Sequence, residues 1–242
     1  QNVVDGDLLL GPDGTPRRVS GVTTGFGPLY RVTQVKGDSY GVNSDHILSL
    51  KKTPGSDGIT LSDGSKVDKD ADIVNVNVEV FAKSNKTARH CLKGWRAGAV
   101  DFPSAPIKDL PIPPYILGVW LGDGNHNDAA VTKAPSRMIE VWKKMGKDMG
   151  MGLVERPRNG CSTWALVRPD YGRNAFSALL DIYGLRERKH IPNDYITATI
   201  EQRLELLAGL IDSDGHLSHS GFDWISKYRE LAEQFVFVCR SV

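Results

Sequence analysis

Two segments of the sequence each end in an Asp-Gly pair after an apolar run. They are residues 116–124, ILGVWLGDG, and residues 207–215, LAGLIDSDG. Small residues occupy the third and seventh positions of each segment: Gly118 and Gly122 in the first, Gly209 and Ser213 in the second. Small residues allow two helix backbones to approach closely. We therefore predict that the two segments pack as helices and bring the carboxylates of Asp123 and Asp214 together.

Two adjacent carboxylates repel each other unless a cation or a shared proton lies between them. A divalent metal ion is therefore the natural occupant of such a site, and two metal ions beside a phosphodiester can activate water and stabilise the leaving oxygen. Either segment alone is more simply interpreted as a core helix followed by a turn. Two copies lying 91 positions apart, from Asp123 to Asp214, favour the chemical interpretation.

The stretch between the two copies is basic. Residues 131–192 contain twelve Lys and Arg against six Asp and Glu, a surplus of six, whereas the whole chain has a net charge of only +1. Such a concentration of positive charge is typical of a nucleic-acid contact surface, and it is equally typical of a solvated face. The charge alone leaves both alternatives open.

The segment 207–215 resembles the LAGLIDADG motif of homing endonucleases, with Ser213 as its one substitution, and 116–124 resembles the first motif copy of the single-chain members. This resemblance implies that Asp123 and Asp214 are metal-binding catalytic acids. It also implies that the backbone carbonyls of Gly122 and Ser213 approach the metal ions. The implied reaction is cleavage of double-stranded DNA across the minor groove, with Mg²⁺ or Mn²⁺ as the cofactor.

A second correspondence lies at residues 188–192, RKHIP, because intein-encoded endonucleases carry a lysine shortly before an Ile-Pro pair. By this resemblance Lys189 would stabilise the charge that develops at the phosphate. The alternative interpretation is that Lys189 is only a solvated member of the charged run that precedes the Ile-Pro pair. The resemblance further implies that strands of the basic stretch contact DNA. The residues expected to bind DNA are Lys133, Arg156, Arg158 and Arg168.

The elements that must position these residues follow from periodicity and turn signals. Short alternating runs predict that about the first 80 residues are all-β, including a strand over 73–81. Proline-rich residues 102–114 then predict a linker. Beyond it the pattern predicts alternating elements: helices over 114–122, 135–149, 174–183, 200–212 and 226–240, a strand over 129–132, and a hairpin of 153–156 with 163–167.

The first region resembles the Hedgehog/intein splicing domain, at residues 6–14 and 41–48. In the second stretch His46 corresponds to the histidine that promotes the acyl shift at a splice junction, a role that needs proton donation near neutral pH. Asn43 replaces the usual threonine of this block, and a lone histidine at a strand start is otherwise most often structural. Residues 93–96, KGWR, resemble those of fungal-type inteins.

These observations predict a multi-domain protein with an all-β Hedgehog/intein (HINT) splicing domain, residues 1–105, and an α+β LAGLIDADG endonuclease domain, residues 106–242. An intein begins with Cys or Ser and ends with Asn, whereas this sequence begins with Gln1 and ends with Val242. Only 28 residues follow Asp214, too few for a second DNA-binding half. We therefore expect no splicing from these residues alone and hypothesise a longer intein.

Composition excludes several other classes of protein. With 40% hydrophobic and 24% charged residues the chain resembles an ordinary globular protein, and its longest apolar runs are too short to cross a bilayer. Three widely spaced cysteines argue against a disulfide scaffold or a structural zinc site. We expect an intracellular, soluble monomer with access to nuclear DNA. Its expected partners are double-stranded DNA and the host exteins, without a membrane.

Two further functional interpretations remain open at this point. The endonuclease half could bind nucleic acid without cutting it, as RNA-splicing maturases of the same fold do, or it could be a degenerate remnant that supports the splicing domain. The other interpretation is a plain α/β protein whose two helices match the motif by coincidence. The presence of both acids and of Lys189 favours a competent nuclease.

Overall fold

The computed structural model describes residues 3–35, 37–96, 98–102, 109–132, 134–158, 160–170, 172–219 and 221–242. The chain forms two compact units, Gln1–Leu9 with Arg18–Ala97 and Leu10–Arg17 with Gly98–Val242. The second unit begins before residue 106 because Val100 and Phe102 pack within it, against Arg203 and Phe237. The functional division at residue 105 stays a prediction.

Short antiparallel strands form over the first 93 residues of the chain. They are β1 (Leu8–Leu10), β2 (Pro16–Arg18), β3 (Leu29–Val32), β4 (Tyr40–Asn43), β5 (Ile47–Lys52), β6 (Ile73–Asn77) and β7 (Leu92–Lys93). Strand β1 pairs with β2, β3 pairs with β4, and β5 lies between β6 and β7. Alternate residues of β5 point inward, so Leu48 and Leu50 pack with Val76 and Leu92 in a small apolar core.

The predicted strand over 73–81 is wrong beyond Asn77, where α1 (Val78–Lys83) forms, and α2 (Lys86–Cys91) follows it. The alternating valines predict one strand over 73–81, but the strand stops at Asn77. The Asn77 side-chain oxygen accepts hydrogen bonds from the backbone N–H groups of Glu79 and Val80, which caps a new helix. Asn85 caps α2 in the same way. Local capping therefore overrides the alternation.

The second unit alternates helices and strands, as its periodicity predicts. The elements are α3 (Pro114–Asp123), β8 (Ala130–Thr132), α4 (Ser136–Asp148), β9 (Gly152–Arg158), β10 (Cys161–Val167), α5 (Ala175–Ile182), α6 (Asn193–Ile196), α7 (Ile200–Asp214), β11 (Gly215–Ser218), β12 (Gly221–Trp224) and α8 (Arg229–Arg240). Strand β10 lies between β8 and β9 in an antiparallel sheet, and β11 pairs with β12. The predicted strand over 129–132 and the hairpin over 153–167 are confirmed.

One large apolar core holds these elements together. It contains most of α3, the inner faces of α4, α5 and α7, and the inner face of α8. In α4 the buried residues Met138, Trp142 and Met145 follow helical spacing. Trp142 contacts the ring of Phe176 in α5 edge-on. Helix α7 begins with a capping box between Thr199 and Gln202.

The predicted helix over 226–240 is shorter in the structure. Helix α8 begins at Arg229, and the residues before it form the β11–β12 hairpin and a connecting loop. Lys227 and Tyr228 therefore lie in a loop instead of a helix. In the part of the chain that the structure describes, every helix is too short or too polar to span a membrane.

Candidate active site

Helices α3 and α7 touch along their backbones. A Cβ atom added to Gly118 would lie 2.3 Å from the Leu206 carbonyl oxygen, and one added to Gly209 would lie 2.1 Å from the Tyr115 carbonyl oxygen. Both distances are far inside van der Waals contact, and the neighbouring atoms belong to the backbone. Glycine is therefore required at both positions, and the close helix packing expected from the small residues is confirmed.

The two helices end side by side. A Cβ atom on Gly122 would lie 2.1 Å from Ser213 Oγ and 3.3 Å from Asp214 Oδ2. Because this contact lies one turn beyond the glycine crossing on both helices, the helices run in the same direction. Asp123 and Asp214 consequently line one open cleft of about 410 Å³. The structure brings the two acids together, and their catalytic roles stay predictions.

The ammonium group of Lys189 is buried at the end of α3. The residue is 3% exposed, and its Nζ donates to the carbonyl oxygens of Trp120, Gly122 and Gly124 at 3.0, 3.0 and 2.8 Å. The same Nζ lies 5.0 Å from the centroid of the Trp120 ring. Because an ammonium group has three N–H donors, these three carbonyls use all of them. Lys189 therefore acts as a cap that fixes the backbone around Asp123.

Burial perturbs the ionisation of both kinds of charged group in the cleft. It lowers the pKa of Lys189 to about 8, against the opposing effects of the Asp214 and Asp123 carboxylates. It also raises the pKa of Asp214 above the usual range for a carboxyl group, and Lys189 opposes this shift. The lowered pKa of Lys189 and the raised pKa of Asp214 both indicate that the charged form of each group is incompletely solvated. A bound cation would stabilise a carboxylate in such surroundings.

The donor set of the cleft fits a hard divalent cation. Mg²⁺ is commonly held by one or two carboxylates and keeps several water ligands, and Asp123 with Asp214 supply two. Over the described ranges no group of three or more His, Cys, Asp or Glu side chains could hold a metal ion. The carbonyl of Gly122 already accepts a hydrogen bond from Lys189. The Ser213 hydroxyl bonds back to its own helix, which leaves only the backbone of this residue for the predicted contact.

A histidine and a tyrosine join two loops at the rim of the cleft. His126 Nδ1 lies 2.9 Å from the carbonyl oxygen of Arg186, and His126 Nε2 is hydrogen-bonded to the Tyr228 hydroxyl. A carbonyl oxygen can only accept, so Nδ1 carries the hydrogen. In the neutral ring Nε2 then accepts from the Tyr228 O–H. The adjacent Lys227 places its Nζ 5.0 Å from the centroid of the Tyr228 ring.

Two of the residues predicted to bind DNA are held in exposed ion pairs. Arg156 pairs with Asp128, and Arg168 contacts both carboxylate oxygens of Asp170 at 2.6 and 2.8 Å. Arg156 lies opposite Thr163 in the sheet register. Exposed ion pairs contribute little to stability and exchange readily. A DNA phosphate could therefore replace either aspartate.

The other two predicted DNA contacts are described less fully. Arg158 ends β9, where its backbone lies opposite Cys161 in the strand register. Lys133 lies outside the described residues. All four DNA-binding assignments stay predictions.

His46 belongs to the first unit and is exposed just before β5. Its backbone N–H donates to the Asn43 carbonyl at 3.2 Å, and its own carbonyl accepts from the Val78 N–H at 2.9 Å. The backbone around it is thus fixed while the ring faces solvent. Its role in an acyl shift stays a prediction.

The sequence patterns did not single out His126, Lys227 or Tyr228. The prediction of a helix over 226–240 concealed the last two, because it placed them within that helix. The run Ser-His-Ser-Gly at 218–221 is typical of a turn, but it marks the hairpin before this loop and not the loop itself. His126 has no such signal, because its partners are a distant backbone carbonyl and a distant hydroxyl.

No protein-family model matches the chain. The chain is similar to a replicative DNA helicase, DnaB, of Mycobacterium intracellulare, with 29% identity over 233 residues. The match covers 91% of this chain and 35% of the helicase, so the chain spans about a third of the length of the curated relative that it matches.

Proposed function

We propose that the second unit is an intein-encoded, site-specific homing endonuclease that hydrolyses double-stranded DNA with a divalent metal ion, and that the first unit is part of a protein-splicing domain. The observation that carries this proposal is the joint position of Asp123 and Asp214. Two helices cross at glycine and end with their carboxylates in one cleft, beside a buried lysine. An ordinary core needs no buried ammonium group beside two carboxylates.

The residues of the cleft have separate tasks in this proposal. Asp123 and Asp214 would hold Mg²⁺ or Mn²⁺, with backbone carbonyls and water completing the coordination. The bound ion would supply Lewis-acid stabilisation and a water molecule of lowered pKa. Lys189 holds the carbonyls that surround Asp123, so it keeps this carboxylate directed at the cleft. The glycine crossing fixes the separation of the two helix ends.

The β8–β10–β9 sheet supports double-stranded DNA as the substrate. Arg156 and Thr163 lie on one face by strand register, while Leu166 on the other face packs toward α4. An antiparallel sheet with one covered face can present its other face to a groove of DNA. Positive side chains on that face would contact phosphates and bases.

The similarity to a helicase bears on the host protein. A match that covers nearly all of this chain and a third of a longer protein is what an inserted segment would give. This supports a replicative DNA helicase as the protein that supplies the exteins. The exposed ring of His46 is compatible with chemistry at a splice junction, and the HINT fold remains part of the proposal.

A second candidate function is nucleic-acid binding without cleavage, in the manner of a maturase or of a degenerate endonuclease. The use of all three Lys189 donors on backbone carbonyls favours this candidate, because no N–H of that ammonium remains for a phosphate.

The experiment that separates the candidates uses a plasmid library with randomised duplex inserts, incubated with the protein and Mg²⁺. Linear products are sequenced to identify a target. Asp123→Asn and Asp214→Asn should each lower cleavage of that target at least about 100-fold while DNA affinity persists, since even the loss of outer-shell partners costs about 10- to 100-fold. Asp148→Asn, an exposed acid at the end of α4, is the matched control.

Cleavage that survives in both variants would refute the assigned acids. Binding of duplex DNA by the wild-type protein without any linear product would favour the second candidate. A mass spectrum of the host precursor tests splicing separately, because spliced exteins would appear as a new species that His46→Ala should reduce.

A further inference from the structure

The cleft contains two lysines whose surroundings differ. The Nζ of Lys189 is buried and donates to three backbone carbonyls. Lys227 is exposed, lines the same cleft and has a ring contact with Tyr228. For Lys227 Nζ, the described residues provide no hydrogen bond and no ion pair. Its three N–H donors are thus available to a ligand, whereas those of Lys189 are not.

The loop that carries Lys227 is fixed where it enters the cleft. The Tyr228 hydroxyl is bonded to His126 Nε2, and His126 Nδ1 donates to the Arg186 carbonyl. The ring of Tyr228 is therefore anchored by two successive hydrogen bonds. The ammonium of Lys227 lies over this anchored ring at 5.0 Å, a geometry in which the ring faces attract a cation. The ring limits where the lysine side chain can point.

We propose that Lys227 is the residue that contacts the phosphodiester in the cleft, and that Lys189 is a positioning residue which holds the end of α3. This inference rests on the proposed function and assigns its substrate contact. The resemblance at the Ile-Pro motif assigns the phosphate contact to Lys189, whereas this inference assigns it to Lys227. The anchored Tyr228 and His126 serve as the support for Lys227.

The charges of the cleft agree with an anionic ligand between the lysines. The two ammonium groups are close enough for Lys227 to lower the pKa of Lys189. Two like charges facing one space repel, and a phosphate between them reduces this repulsion. The carboxylates of Asp123 and Asp214 lie on the same cleft, so a metal ion on the carboxylates and a phosphate on Lys227 would occupy adjacent positions.

The first experiment measures DNA affinity without any divalent metal ion, so that cleavage does not interfere. Binding of the selected target duplex is followed by fluorescence anisotropy across a range of salt concentrations. Lys227→Ala should lower the slope of log affinity against log salt by about 0.9, the value for one phosphate contact. Lys227→Arg should restore most of the slope. Lys143→Ala, which removes another exposed ammonium group, from α4, is the control and should leave the slope unchanged.

The second experiment measures the rate of cleavage at saturating protein with Mg²⁺. Lys227→Ala should slow cleavage about 100-fold, as expected when one group that stabilises developing charge is removed, and Lys227→Arg should recover part of the rate. Tyr228→Leu should give an intermediate loss, because it removes the ring and leaves the ammonium. Equal salt slopes for Lys227→Ala and Lys143→Ala would overturn the inference.

The two proposals fail in different ways. If cleavage survives in both Asp variants or the wild type never cleaves, the nuclease assignment fails. The salt slope, measured on a random-sequence duplex where no target was selected, still decides whether Lys227 contacts a phosphate. If Asp123→Asn loses cleavage but Lys227→Ala behaves as the control does in both experiments, the nuclease assignment stands and the inference on Lys227 is refuted.

Discussion

The two Asp-Gly segments are alike at their carboxylates and differ in what surrounds them. Helix α3 is buried along almost its whole length and leads into a three-stranded sheet against which α4 packs. Helix α7 has polar residues between its apolar ones and leads into a two-stranded hairpin, where Leu217 is 80% and Phe222 is 46% exposed. One helix end is therefore enclosed in a core, whereas the other borders an open side.

The glycine crossing is the part that both copies share, so it should respond equally in each. Gly118→Val and Gly209→Val should each lower the free energy of unfolding by about 3 kcal/mol or more, because the added carbons meet backbone atoms that cannot move aside. Urea denaturation measures the change. Gly221→Val is the control, since its Cβ would meet no atom within 4 Å. A much smaller change in unfolding free energy at one of the two glycines would mean that the two helices do not contribute equally to the crossing.

Beyond the crossing the two halves should respond unequally. Leu117 is fully buried in α3, and Leu117→Ala should cost about 2.5 kcal/mol of unfolding free energy through lost contacts and a cavity. Leu217→Ala on the exposed hairpin should change it by less than about 0.5 kcal/mol. Matched urea titrations of the two variants test this difference. Similar values would mean that the hairpin is covered in solution.

The smallest expected effect concerns a hydrogen bond between the two copies. The Tyr115 hydroxyl donates to Asp212 Oδ2 at 2.8 Å. The pKa of Tyr115 is raised to about 12, mainly because the hydroxyl is partly buried and also because it is hydrogen-bonded to the Asp212 carboxylate. The unfolded chain loses this proton near pH 10. The protonated Tyr115 hydroxyl therefore stabilises the folded protein fully below about pH 10, and this stabilisation is lost as the pH rises toward 12. In Tyr115→Phe, an absorbance titration should lack one late tyrosinate step, and stability should fall less steeply across this range.

Much of the second unit could be predicted because its signals are local. Periodicity places Met138 and Trp142 on one face of α4, and the turn residues around 160 mark the β9–β10 hairpin. The two Asp-Gly segments predict the helix pair because small residues and carboxylates recur at fixed spacing. These features depend on side-chain type alone.

The rest depends on contacts that residue types do not reveal. The strand predicted through residue 81 fails because one side chain, that of Asn77, caps a helix. Arg203 is fully buried and donates to the carbonyl oxygens of Ala198, Ser241 and Val100. Any residue has a carbonyl, so no pattern marks these acceptors. The occupied donors of Lys189 were unpredictable for the same reason.

Trp120 gives the cleft an optical property. Its indole is fully buried beneath the ammonium of Lys189, and its Nε1 has no hydrogen-bond partner among the described residues. Indole emission shifts in colour when a nearby charge moves, because the excited state has a larger dipole. Ligands that displace Lys189 from its three carbonyls should therefore change the fluorescence of the protein. The fold thus carries its own spectroscopic probe at the centre of the cleft.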